Sequence, residues 1–261
     1  MSEPGSGADL EKQNRTLTRK LDRLQTNMAQ LEEIRDVNAK LMSGLMHELD
    51  EERTRSTELL LNILPRQIVD RLEAGETLIA DRYEHVSVLM SDLVGFTEIS
   101  SQLSPKVLVT ELNQLFSEFD ALCADSGMEK IKTIGDAYMA VGGLPGTRDD
   151  HAAAAADMAL EMMQALGRVN DATGRGWRIR IGVHTGPGVA GVIGAWKFAY
   201  DVWGDTVNMA SRLESSSLPD HIQISSPVAS ALGDGFAVEP RGTIALKGKG
   251  ETETFFLRGR A

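Results

Sequence analysis

The sequence predicts an α+β protein, with a long N-terminal helix leading into a ferredoxin-like βαββαβ domain. Three observations predict it. Residues 9–64 repeat apolar side chains at spacings of three and four, with one glycine, Gly44, and no proline. From about residue 85, short apolar strand-like runs alternate with longer helical stretches. Hydrophobic residues make up 42% of the 261, enough for a real core.

The elements follow in order. Residues 1–8 are small and polar and are expected to fray. Residues 9–64 are read as a coiled-coil helix and linker. Leu21, Met28, Met42 and Leu49 fall at heptad position a, and Leu17, Leu24, Leu31 and Leu45 at d. The seam is imperfect, with Arg35 at a and Asn38 at d, and Ile34 and Leu41 carry the stripe through a local shift of phase. Some 50 residues of helix span about 75 Å, too long to bury against one small domain. A parallel coil with a second copy is therefore expected, with Asn38 fixing register. Residues 65–81 read as a connecting helix, started by Pro65 and ended by Gly75.

The domain assigned to 82–261 follows. Strands are expected at His85–Ser91, Met128–Ile134, Ala137–Gly143, Trp177–His184, Ala199–Trp203, Ile222–Ser225 and Thr254–Leu257. Helices are expected at Pro105–Cys123, Asp149–Val169, Thr206–Ser215 and Pro227–Leu232. The order suggests a split βαβ sheet with helices on one face.

Composition narrows the function classes. With 27 basic and 38 acidic residues the net charge is −11, which argues against nucleic acid as a partner. A nucleotide remains possible, since metal ions screen phosphates. The single cysteine, Cys123, excludes an intrachain disulfide and a thiolate zinc cluster. It fits a reducing, cytoplasmic location. No apolar run approaches the roughly 18–20 residues of a membrane span, and the polar N-terminus lacks a signal peptide.

Four segments carry chemistry. In Met90-Ser91-Asp92-Leu93-Val94-Gly95-Phe96-Thr97, an apolar strand delivers a carboxylate beside a glycine turn and a helix start. Helix-start N–H groups suit phosphate, and the carboxylate suits a hard cation; a capping aspartate is the plainer alternative. In Lys132-Thr133-Ile134-Gly135-Asp136, Gly-Asp joins two strands, a turn that needs no ligand role, and Lys132 reads equally as a solvent-facing strand lysine. In the run from Tyr200 to Arg212, Asn208 and Arg212 share one helix face and can grip sugar or phosphate oxygens, or be ordinary surface residues. In Leu246-Lys247-Gly248-Lys249-Gly250, lysines and glycines suit polyphosphate, or a solvated hairpin.

Together and in this order, the segments resemble the class III nucleotidyl cyclases, specifically bacterial, mycobacterial-like homodimeric adenylyl cyclases, over roughly residues 82–258. The resemblance implies that Asp92 and Asp136 bind two divalent cations, Mg2+ or Mn2+. It implies phosphate contacts from the backbone of Val94, Gly95, Phe96 and Thr97. Lys132 and Asp201 would read adenine, the lysine donating to N1 and the aspartate accepting from the amine. Guanylyl members typically carry glutamate and cysteine there, so this pair implies ATP. Asn208 would orient the ribose, Arg212 would stabilise charge on the reacting phosphate, and Lys247 would grip the terminal phosphates. The implied partners are ATP and a second copy, joined through catalytic domains and coil, with an upstream sensor domain or regulator possible. Two alternatives stand: a guanylyl cyclase, or a silent nucleotide-binding dimerisation module.

Overall fold

The computed structural model describes residues 6–194 and 196–261. The chain divides into two compact units, one ending at Asn62 and the other Ile63–Ala261. Of the stretch expected to fray, residues 1–5 lie outside the described residues, and Ser6 already begins a helix.

The first unit is one unbroken helix, α1 (Ser6–Leu61, 56 residues). It passes through Gly44 without interruption because straight-chain helix formers surround it. Pairs four apart, such as Glu11 with Arg15 and His47 with Glu51, reinforce it. The a and d side chains are all open to solvent in the single chain, from Leu45 at 52% to Leu49 at 70%. The stripe is thus present as an uncovered apolar edge.

The second unit opens with α2 (Arg66–Glu73), whose Ile68 and Val69 are buried. The mixed sheet and its helices follow: β1 (Ala80–Leu93), α3 (Phe96–Gln102), α4 (Pro105–Ser126), β2 (Glu129–Ile134), β3 (Ala137–Gly142), α5 (His151–Thr173), β4 (Ile179–Ile193), β5 (Ala199–Trp203), α6 (Asp205–Ser216), β6 (His221–Ser225), α7 (Ser226–Leu232), β7 (Phe236–Leu246) and β8 (Gly250–Arg260). The strand order is β2-β3-β1-β4-β6-β8-β7, with β5 on the far half of β4. Its first four strands are antiparallel neighbours, as the βαββαβ order requires.

Several expected elements differ in extent. The strand expected at Trp177–His184 continues through Gly186-Pro187-Gly188 to Ile193, because those glycines let the strand lie close to its neighbours. A Cβ on Gly186 would meet the Thr206 hydroxyl at 2.8 Å. The last strand is longer than expected and forms a hairpin with β7, an element absent from the sequence reading. Nor do all helices share one face. Ile179, Ile181 and Val183 of β4 face the core built with α4, α5 and α7. The intervening Gly182 faces α6, so α6 covers the opposite face.

The main core is dense. Leu89, Leu115, Phe119, Met158, Ile179 and Ile181 are at most 1% exposed, and each such side chain contributes about 1.5–3 kcal/mol on burial. The alanine run of α5 (Ala154, Ala155, Ala156, Ala159) lets that helix settle close to the sheet. α4 starts at Ser104, whose hydroxyl accepts from the Val107 N–H, and ends at Gly127 with φ 66°.

Candidate functional site

Alternation along β1 sends Leu89 and Leu93 into the main core and Asp92 to the other face. The β2–β3 hairpin turns at Gly135 (φ 64°) and Asp136. Because Ser91 pairs with Tyr138, this turn lies beside the end of β1. Asp92 and Asp136 are thus neighbours. Burial pushes the Asp136 carboxyl up to about 6, the adjacent Asp92 charge pushes the same way, and a backbone hydrogen bond from Leu93 opposes them.

Two half-buried carboxylates side by side repel, and a hard divalent cation relieves that repulsion. The pair therefore fits such an ion. Among the described residues no set of three or more His, Cys, Asp or Glu side chains forms a metal-binding group. Two carboxylates with remaining positions for water and phosphate suit magnesium-type coordination better than an all-protein cage.

After Asp92 the chain turns at Gly95 (φ 71°), a left-handed position that suits glycine, and enters α3. The Val94 N–H donates to the Arg178 carbonyl at 2.8 Å, so the sheet already uses it. The first-turn N–H groups at Phe96 and Thr97 have no intrahelical partner.

Lys132 and Asp201 meet directly, Nζ to Oδ2 at 2.5 Å. The aspartate is the more enclosed partner, at 18% exposure. Its other oxygen accepts from the Val202 N–H at 2.8 Å. A β-bulge makes the meeting possible. Lys130 pairs with Ala140 and Lys132 with Met139, so the register slips by one between them. Lys130 consequently binds Asp120 on α4, while Lys132 is aimed at the opposite face, where Asp201 is.

α6 buries Thr206, Ala210, Leu213 and Glu214. Asn208 is exposed and Arg212 half-buried, and neither is bonded to Asp92 or Asp136 in this chain. The structure thus brings the carboxylate pair together and the Lys132–Asp201 pair together, while among the described residues Asn208 and Arg212 make no hydrogen bond or ion pair with the carboxylates. Lys247 is exposed in the β7–β8 turn, whereas its neighbour Lys249 forms an ion pair with Asp205 at the start of α6.

Two residues escaped the sequence reading. Arg180 donates to Asp92 Oδ2 at 2.7 Å and lies 3.2 Å from Glu214 Oε1. The Glu214 carboxyl is pushed up to about 7 by burial and then by the Asp92 charge, with Arg180 opposing. The available signal was Arg180 itself, set between Ile179 and Ile181 in a strand with no other Asp, Glu, Lys or Arg.

Residues 78–259 match the family described as the adenylate and guanylate cyclase catalytic domain. An adenylate cyclase of Mycobacterium tuberculosis is 46% identical over 213 residues, covering 81% of this chain and 48% of the relative. The chain thus spans about half the length of that relative. Among solved structures, the guanylate cyclase domain of RhGC from Catenaria anguillulae, in complex with GTP, is 40% identical with a TM-score of 0.67. It covers 69% of this chain and all of its own. The adenylyl cyclase CyaB from P. aeruginosa is 31% identical with a TM-score of 0.66, covering 69% of this chain and 95% of its own.

Proposed function

Since this chain belongs to the adenylate and guanylate cyclase catalytic domain family, we propose that it converts ATP to 3′,5′-cyclic AMP and pyrophosphate, at a site shared by two copies. The observation that carries the choice of ATP is the Lys132–Asp201 pair. It offers one donor and one acceptor, matching N1 and the exocyclic amine of adenine. Guanine presents the reverse order on that edge, and a mismatched base would leave buried groups unpaired.

The ribose 3′-oxygen attacks the α-phosphorus, a new P–O bond closes the ring, and pyrophosphate leaves. Divalent cations, when bound, lower the pKa of the 3′-hydroxyl and neutralise the leaving phosphates. Asp92 and Asp136 hold them. Lys132 and Asp201 exchange their direct contact for the adenine edge and so fix the base. Asn208 orients the ribose. Arg212 donates to phosphate oxygens as charge builds there, and Lys247 grips the terminal phosphates. The backbone turn over Val94–Thr97 cradles the phosphates, chiefly through the N–H groups that the sheet leaves unused.

A second copy fits the finding that Asn208 and Arg212 make no hydrogen bond or ion pair with the carboxylates of their own chain among the described residues. It is also supported by exposed apolar side chains on β4, on β5 and in the connection between them: Val189, Ile193, Trp196, Phe198 and Trp203. Trp196, at 97%, is an aromatic that folding of a single chain leaves wholly in water. Two copies give two equivalent sites, each taking Asp92 and Asp136 from one chain and the other four residues from its partner.

The test is turnover of ATP and of GTP with Mn2+. ATP is expected to be preferred at least about tenfold, and Asp92→Ala to lower turnover about 100-fold or more. Preference for GTP would make this a guanylyl cyclase. No product from either would leave a silent nucleotide-binding module.

A further inference from the structure

The β7–β8 hairpin is bonded to both ends of α6. At the first residue of the helix, Lys249 Nζ donates to Asp205 Oδ1. At the last, Arg241 Nη1 donates to the Ser216 carbonyl at 2.7 Å. The same nitrogen donates to Gln223 Oε1, and Gln223 Nε2 donates to Ser216 Oγ at 3.2 Å. The lengths match. The 12 residues of α6 rise about 18 Å. The strand from Arg241 to Leu246 covers about 17 Å, so one edge of the hairpin runs from helix end to helix end.

Each tie has a local cause. The β7–β8 register slips between Pro240 and Gly242, so Arg241 is the extra residue of a bulge, which re-aims its side chain. Burial lowers the pKa of Arg241, and no carboxylate opposes the shift. A desolvated cation is costly unless its hydrogen bonds are made, and these go to the end of α6 and to the wholly buried Gln223. Lys249 sits in the turn with Lys247, which closes as the Lys249 N–H donates to the Leu246 carbonyl at 2.9 Å. On the other side, β4 meets the middle of α6 through Gly182, against Ala210 O and Glu214 N. A bare glycine surface sets how near the helix lies, but does little to stop it sliding or turning about its axis. The Thr206 hydroxyl holds the first turn to the Pro187 carbonyl at 2.6 Å, so the last turn depends most on Arg241. There the Ser216 hydroxyl donates to the Arg212 carbonyl at 2.7 Å.

We infer that the β7–β8 hairpin braces α6 by both ends: Arg241 and Lys249 are positioning residues that hold Asn208 and Arg212 in line and tie the Lys247 turn to the same helix. This rests on the reading given above, in which Asn208, Arg212 and Lys247 act on the bound nucleotide. Lys249 is spent on Asp205 and not on phosphate. The sign of one substitution separates the two roles. If Lys249 gripped phosphate itself, Asp205→Asn would free it and lower KM for ATP. As part of a brace, Asp205→Asn raises KM, as Lys249→Met does.

The test joins amide hydrogen exchange to steady-state kinetics on ATP, both in the full chain. Arg241→Met keeps an apolar stem over the Phe256 ring and loses both hydrogen bonds. Exchange in α6 is expected to quicken at least about tenfold, while that of β4 stays within about threefold of wild type. In parallel kcat should fall about tenfold, with KM within about threefold. Arg241→Lys keeps the charge and one donor, so it should recover part of the loss. Lys249→Met and Asp205→Asn should each raise KM about threefold or more, and the double variant should be no worse than either, since each breaks the same bond. Unchanged α6 exchange in Arg241→Met, or faster exchange with kcat within about twofold of wild type, overturns the inference. A lower KM in Asp205→Asn, or fully additive losses in the double variant, overturns it too. If Arg241→Met fails to fold, Arg241→Lys decides: wild-type exchange and kcat overturn the inference, and a fall in kcat of about threefold or more supports it. Faster α6 exchange in a chain whose wild type makes no cyclic nucleotide upholds the brace and sinks the cyclase reading. Turnover of ATP with α6 exchange untouched by either Arg241→Met or Lys249→Met does the reverse.

Discussion

Glu129 begins β2 half-buried, and burial alone pushes its carboxyl from 4.5 up to about 7. Between those values the folded chain keeps a proton that the unfolded chain releases. Stability from the neutral acid is therefore present at low pH and is lost as pH rises through 7. Glu129→Gln, a neutral mimic, should be more stable than wild type by about 1–2 kcal/mol at pH 8, allowing for screening by solvent. The gain should shrink to a fraction of that at pH 5. Urea unfolding at both values checks it, and an equal gain at both would show that charge is not the cause. The same side-chain scale governs the site. Asp136 and Glu214 both carry raised carboxyls because burial and neighbouring negative charge add. Clustered carboxylates of this kind are a common mark of a functional site. Read alone, Asp92 could be a helix cap and Asp136 a turn residue; their pairing was legible only through the family resemblance of the four segments together. Arg180 and Glu214 were not, because their meaning lies in a cross-strand partner 88 positions away and in a helix on the same face.

At the scale of elements, α6 and β4 form the joint on which the site depends. A Cβ on Gly182 would meet Glu214 N at 2.2 Å and Ala210 O at 2.5 Å, both backbone atoms that cannot turn aside. Gly182→Ala must push α6 away from the sheet. We expect a loss of about 1–3 kcal/mol in stability, seen as a lowered Tm, together with a fall in kcat as Asn208 and Arg212 shift. Full stability would show that α6 moves freely, against this account of the joint. Elements with strong periodicity, such as α1, α4 and α5, were readable from sequence to within a few residues at their ends. β4 was not, since Gly186-Pro187-Gly188 carries the local marks of a turn while the ladder with β1 holds it extended. β7 was missed because Phe236–Leu246 mixes proline, glycine and charge, and its pairing with β8 defines it.

For the whole molecule, the two units differ in what they can do alone. The unit Ile63–Ala261 has its own core, whereas α1 buries no apolar stripe by itself. We propose that α1 pairs with the α1 of a second copy and so raises the effective concentration of the catalytic units. A chain beginning at Ile63 should stay folded. Its specific activity should become dependent on protein concentration, with the midpoint at least about tenfold higher than for the full chain. Sedimentation and activity against concentration measure this, and identical curves for both chains would remove the role given to α1. No described helix is long and apolar enough to cross a membrane.

The sequence by itself determined the long helix with its heptad stripe and the βαββαβ order, which follow from local periodicity and short spacing that a chain displays before it folds. The assignment of particular residues to phosphate, base and cation came from the order of the four segments together, through the family they resemble. Only the tertiary structure decided which of those residues meet. Strict alternation would put Lys130 and Lys132 on one face, but the bulge between them sends one to Asp120 and the other to Asp201. The register of β1 against β4 likewise set Arg180 opposite Asp92. Register and bulges arise from pairing between distant segments, so no local pattern encodes them.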